Sequence, residues 1–164
     1  MSITDGGDNA PTGAGQTTAA SARRITITAQ YIKDLSFENP GAPASLLQQE
    51  PPELQINIDV NANAVTPGLY EVVLAIRATA RAPKGETLFM LELAYAATVS
   101  LANVSANDTP EALLVETPRL IFPFARALVA SMTGDGGYPP VFLPMIDFSE
   151  LMRRRQAATA KPPA

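Results

Sequence analysis

The chain has 164 residues, 46% of them hydrophobic and 17% charged, which is enough apolar matter for one domain with its own core. It contains no histidine, cysteine or tryptophan, and this removes Ser-His and Cys-His nucleophiles, histidine- or thiolate-bound zinc, iron–sulfur clusters and disulfides. The net charge is −4; the first 24 residues balance and the last twelve carry Arg153, Arg154, Arg155 and Lys161, so residues 25–152 hold −8, a body that repels nucleic acid and suits basic protein partners.

Residues 1–23 have too little apolar content to offset their ordering entropy and are expected to form a disordered extension. They contain no apolar run fit for a secretory signal, and no window of the chain approaches the ~20 apolar residues of a membrane span. A cytoplasmic protein with no direct membrane insertion and no nucleic-acid partner is expected.

From Arg24 the pattern has period two. Ile25, Ile27, Ala29 and Tyr31 are expected on one face of a strand reaching Phe37. A long connection follows, broken by Pro40-Gly41-Ala42-Pro43 and Pro51-Pro52. Leu54, Ile56, Ile58 and Val60 alternate with polar residues in a second strand. Beyond Pro67-Gly68, Tyr70, Val72, Leu74, Ile76 and Ala78 define a third, joined by a turn at Pro83-Lys84-Gly85 to a fourth over 86–102. Four strands without intervening helices imply an antiparallel sheet with one face needing cover.

Asp108 or Thr109 is expected to cap a helix with Pro110 at its first position, and Thr117-Pro118 repeats the signal. Leu120, Ile121, Phe124, Leu128 and Met132 then recur at helical spacing until Gly134, Gly136 and Gly137. A last helix is expected from Asp147, with Glu150 as capping-box partner, fraying at Arg153 into a basic flexible tail over 153–164. The three arginines are read as complementing the negative end of that helix. The order defines an α+β domain over 24–152: a four-stranded antiparallel sheet followed by two helices. Such a fold has too few layers to bury Leu88, Met90 and Leu93 together with Ile121, Phe122 and Val129, so self-association and an open apolar groove are expected.

Tyr31-x-Lys33-Asp34-Leu35-Ser36-Phe37-Glu38-x-Pro40-x-Ala42-Pro43, Tyr70 to Leu74, Leu120-Ile121-Phe122-Pro123-Phe124-Ala125-Arg126, Tyr138-Pro139-Pro140 and Asp147-Phe148 occur in an order and spacing that resembles the SecB family of bacterial export chaperones. The resemblance spans about residues 24–152. It implies a homotetramer, a dimer of dimers, that binds unfolded preproteins without ATP or any cofactor and passes them to the SecA motor. It also implies a client-binding groove at Leu46, Leu47, Leu54, Ile56, Phe142, Leu143, Met145, Ile146, Phe148 and Leu151, of which Ile56 and Phe148 are the strongest candidates for plain core. A SecA-docking face at Asp34, Glu38, Met90 and Glu92 is implied as well. Within the apolar run 88–93, the Glu92 carboxylate must face solvent or a cation.

Two other readings compete. A related chaperone dedicated to an antitoxin would share fold and groove. A small α+β enzyme with an apolar cavity would need Asp34, Glu71, Glu92 or Glu116 buried with a raised pKa. No residue is assigned as catalytic or metal-binding, and the chain is not expected to be an enzyme.

Overall fold

The computed structural model describes residues 21–160. Four strands, β1 (Arg24–Glu38), β2 (Glu53–Thr66), β3 (Leu69–Arg81) and β4 (Thr87–Ala102), form one antiparallel sheet in the order β1-β4-β3-β2. Helices α1 (Thr109–Glu111), α2 (Thr117–Asp135) and α3 (Phe148–Ala160) follow. This is the expected α+β order. The disorder expected over 1–23 lies outside the described residues as far as residue 20, as does the end of the tail beyond 160.

Register decides which side chains meet, because residues opposite each other on paired strands share a face. Val72, Leu74, Ile76 and Ala78 lie opposite Ala97, Tyr95, Leu93 and Leu91, and all eight are buried. Strand β2 adds Ile56, Ile58 and Val60 to this inner face. Helix α2 covers it with Ile121, Phe122, Ala125 and Val129, and Phe148 of α3 meets Phe122 edge-on at 5.8 Å. Leu88, Leu93, Ile121, Phe122 and Val129, read from sequence as a surplus, are therefore buried within one protomer, and only Met90 of that group stays half-exposed. The unburied residues are others. Leu120 and Phe124 of α2, expected on the packed stripe, are each 52% exposed, because the buried stripe runs through Ile121, Ala125 and Val129 instead.

Strand β1 departs from simple alternation. Register shifts at Ile27/Ala29 and Ile32/Asp34 insert an extra residue twice. Ile25 and Ile27 keep the inner face, but Ala29 and Tyr31 move to the outer face opposite Thr98 and Ala96. Gln30, Ile32, Leu35 and Phe37 take their places inside.

The helix start also differs. The Asp108 side chain makes no capping bond to α1; it accepts a hydrogen bond from Ser105 Oγ (2.7 Å), and the Ser105 carbonyl receives the Thr109 N–H (3.0 Å). The helical segments that start at 109 and 117 are continuous. A single π turn, Ala112–Glu116, joins them, with the N–H and Oγ1 of Thr117 both donating to the Ala112 carbonyl. Pro118 has no N–H for the Leu114 carbonyl, which favours this wider turn.

The glycine stop forms as expected. The Tyr138 N–H reaches the Thr133 carbonyl (3.1 Å) and the Gly137 N–H the Gly134 carbonyl (3.0 Å), a Schellman closure with Gly137 at φ +90°. At the last helix, Asp147 Oδ1 accepts the N–H groups of Ser149 (3.0 Å) and Glu150 (3.1 Å), so the predicted cap is made. Glu150 does not complete a capping box; its carboxylate pairs with Arg153 (2.5 Å) and Arg154 (2.9 Å). These i,i+3 and i,i+4 pairs carry the helix through the arginines to Ala160 instead of letting it fray there. Arg155 lies in mid-helix, away from the carbonyl end, and reaches the edge of β2, donating to Asp59 Oδ1 (3.3 Å), Asn61 Oδ1 (3.1 Å) and the Val60 carbonyl.

A side chain at Gly137 would be strained by its φ and would meet the Leu46 methyl groups at 3.0 Å. Gly137→Ala is expected to cost about 1–2 kcal/mol, read as a lowered urea midpoint with an unchanged m-value.

Candidate functional site

Two surfaces remain where side chains of functional type are exposed, one on each side of the sheet. The first lies beside α2. After the Schellman turn, residues 139–147 form a connection without regular secondary structure that is tied to α2 at Leu143. Leu143 is fully buried, while Phe142 and Met145 are 68% and 84% exposed. Arg126 fixes this connection: its Nε donates to the Leu143 carbonyl (2.7 Å), and its guanidinium stands 5.7 Å over the Phe142 ring. A cavity of about 460 Å³ opens there, lined by Phe122, Pro123, Arg126, Phe142, Met145, Ile146 and Phe148, with Arg119 and Ala127 at its margins.

This cavity gathers Phe142, Met145, Ile146 and Phe148 from the residues that the family resemblance implies. Leu143 is fully buried in the core cluster, beneath the exposed Phe142 and Met145. Phe148, suspected as core, is buried and also forms part of the wall. Leu46 and Leu47 lie elsewhere, on a short 3₁₀ turn (Ala44–Leu47) held to the post-helix loop through Tyr138. The Tyr138 hydroxyl is 2.7 Å from Asn39 Oδ1, 2.8 Å from Ser45 Oγ and 3.0 Å from the Leu88 carbonyl. Leu54 and Ile56 are on the inner face of edge strand β2, and Leu151 lines a small hollow with Asp59, Val60, Leu114, Met152 and Arg155. The ten residues thus occupy separate patches in the protomer. Sequence reasoning missed Arg119, Phe122, Pro123, Arg126 and Ala127 as lining residues, although Phe122, Pro123 and Arg126 stand inside the Leu120–Arg126 block.

The second surface is the outer face of the sheet, which no helix among the described residues covers. Cross-strand register arranges it in rows from β1 to β2: Glu38, Met90, Thr79, Gln55; then Ser36, Glu92, Arg77, Asn57; then Asp34, Ala94, Ala75, Asp59. Asp34, Glu38, Met90 and Glu92 therefore share one face, within three successive rows. The small side chains of Ala75 and Ala94 leave a hollow of about 400 Å³ between Asp34, Asp59, Arg77 and Glu92. Glu92 is both exposed and paired with a cation, Arg77 Nε at 2.8 Å.

One bridge fastens the bulged strand across β4 on this face. Glu71 on β3 receives Lys33 Nζ on both oxygens (2.8 and 2.7 Å) and the Tyr31 hydroxyl on Oε1 (2.5 Å). The Lys33 ammonium, then the Tyr31 hydroxyl, hold the Glu71 carboxyl below the usual carboxylate range; the hydrogen bond to Glu71, with burial, raises the Tyr31 phenol. The direction at Glu71 is the reverse of what a general acid needs. Glu116 is paired with Arg23, and Asp34 is exposed, so none of the four carboxylates has the buried setting that the enzyme reading requires. Among the described residues no group of acids is placed to hold a metal ion, and no helix is long and apolar enough to cross a membrane.

The family model described as preprotein translocase subunit SecB matches residues 18–159. A protein-export protein SecB of Nitrobacter hamburgensis is 40% identical, covering 99% of this chain and all of its own. One from Paramagnetospirillum magneticum is 47% identical over 87% of this chain and 92% of its own. In structure, a SecB-like chaperone of Mycobacterium tuberculosis, solved with a peptide of an antitoxin, superposes with a TM-score of 0.61 at 14% identity, covering 75% of this chain and 91% of that one.

A carboxyl whose folded pKa lies below its ordinary 4.5 stabilises the fold above that pH and loses its contribution as pH falls through the depressed value. Glu71→Gln is accordingly expected to cost about 1 kcal/mol at pH 7. The gap from the parent should close in urea titrations repeated at pH 4 and pH 3.

Proposed function

The chain belongs to the SecB family, and from that premise we propose that it works as an ATP-independent export chaperone, a holdase that receives unfolded preproteins on apolar grooves and hands them to SecA in the cytoplasm. The observation that carries this reading is the shelf at Phe142 and Met145. Two large apolar side chains stand in solvent while their neighbour Leu143 and the Arg126 hydrogen bond keep the backbone beneath them fixed. A rigid apolar shelf costs less ordering on binding than a mobile one.

An unfolded chain presents what folding would hide, apolar side chains on extended backbone. Burying one such side chain gains ~1.5–3 kcal/mol before ordering costs, so a single shelf binds weakly. Several shelves on one particle raise the affinity through effective concentration without demanding a client sequence. This is the physical role of the proposed homotetramer, and the exposed Leu120 and Phe124 on α2 are apolar surface suited to contact between copies. Leu46, Leu47, Leu54, Ile56 and Leu151 are proposed as further client contacts along the route from one shelf to the next.

Docking to SecA is proposed at the outer sheet face, at Asp34, Glu38, Met90 and Glu92, where acids beside small side chains suit a basic segment. The antitoxin-dedicated reading is less favoured. The export-named relatives reach 40–47% identity over most of the chain, whereas the antitoxin-bound chaperone shares the fold at 14%.

Light scattering should give a species near four times 17.3 kDa, and that species should delay refolding of a denatured preprotein without nucleotide; a monomer that leaves refolding untouched would refute the reading. Phe142→Asp with Met145→Asp is expected to weaken preprotein binding at least tenfold with SecA binding kept. Asp34→Lys with Glu92→Lys is expected to do the reverse. Joint loss of both activities in either pair would show that the two surfaces are not separate.

A further inference from the structure

The docking face carries a positive charge where a basic partner would meet only hindrance. Arg77 lies directly between Glu92 on β4 and Asn57 on β2, in the middle row of the acidic patch. Its Nε is 2.8 Å from Glu92 Oε1, and both side chains are more than half exposed, at 62% and 51%. Asp34, Asp59 and Glu92 surround the same hollow over Ala75 and Ala94. Asp59 is engaged from the far side by Arg155.

We propose that Arg77 is an internal competitor for the docking face: it holds the Glu92 carboxylate until a cationic side chain of the partner displaces it, and so sets how strongly, and at what ionic strength, a basic segment binds. The inference rests on the assignment of SecA docking to this face and adds its regulation. An exposed ion pair is worth little to the fold, so nothing in stability requires Arg77 to stay with Glu92. The same weakness makes exchange easy. A lysine or arginine arriving in the hollow takes over the carboxylate, and Arg77 swings on its flexible stem toward solvent. While bound, the partner still feels the displaced guanidinium, a like charge whose effect is strongest at low salt. Arg77 thus subtracts from an attraction that the acids alone would make stronger.

The test is the affinity of purified SecA for the full chain carrying Arg77→Gln, Glu92→Gln, or both, at low and high salt, with melting midpoints as the control for folding. Arg77→Gln is expected to bind about three- to tenfold more tightly than the parent at low salt, the gain shrinking as salt rises. Glu92→Gln should bind more weakly, and adding Arg77→Gln to it should recover much less than in the parent, the non-additivity that marks two groups acting as a pair. Equal or weaker binding by Arg77→Gln, with Glu92→Gln still weakened, would overturn the competitor role and leave the docking face standing. An equal gain with and without Glu92 would overturn displacement in favour of a diffuse field. If neither Glu92→Gln nor Asp34→Asn weakens binding, the docking assignment itself falls, and the competitor role with it.

Discussion

The packing of Ile121, Phe122, Ala125 and Val129 of α2 against Leu74, Ile76, Leu93 and Tyr95 of the sheet is the constraint on which the rest of the molecule depends. A sheet has two faces, and this chain supplies helix for one of them. The strands on the covered side are closely apolar, and the buried charge cost that would follow from a carboxylate there explains why the acids all sit on the other side. Once α2 is committed to the inner face, the connection after it is tied to the helix by the Arg126 bond to the Leu143 carbonyl, and the apolar shelf forms there. The outer face is left for solvent and partners, and its composition of alanines, threonines and acids suits that position.

Much of this was legible in the sequence because alternation is a direct consequence of strand geometry. In β2, β3 and β4 a polar residue between two apolar ones names the face, and Glu92 between Leu91 and Leu93 could be placed on the solvent side before any coordinates. The glycine stop and the Asp147 cap were legible for the same reason, each requiring a particular backbone or side-chain oxygen at one position. Strand β1 was not. A bulge inserts an ordinary residue, here at Thr28 and Lys33, with no compositional mark, and each insertion reverses every face assignment beyond it. The apolar surplus was also miscounted, because residue type does not reveal that α2 rotates its stripe to Ile121, Ala125 and Val129 and leaves Leu120 and Phe124 outside.

The candidate site was legible in unequal parts. Asp34, Glu38, Met90 and Glu92 were named from the family resemblance, and they share the outer face because the second bulge of β1 restores the parity that the first one shifts. The shelf came through as residues without geometry: Phe142 and Met145 were named, but so was Leu143, whose side chain is packed in the core cluster. Arginines near an apolar wall are hard to anticipate from a sequence, where they read as solvated charge. Here one of them stacks on an aromatic ring and fixes the backbone, a use that exploits the planar guanidinium and that a lysine would not reproduce.

The reach of Arg155 to Val60 has a consequence for the sheet's open flank. Strand β2 is one of the sheet's two edges, and among the described residues no strand pairs with its outer side, so an extended polypeptide could add there through a ladder of main-chain hydrogen bonds. A protein whose work keeps it among unfolded chains is more exposed to such accretion than most. With the Val60 N–H bonded to Asp59 Oδ1 at 2.9 Å and its carbonyl held by Arg155, the middle rung of that ladder is already taken. A foreign strand pairing along β2 would have to displace both Asp59 and Arg155 at Val60 before it could run the length of the strand.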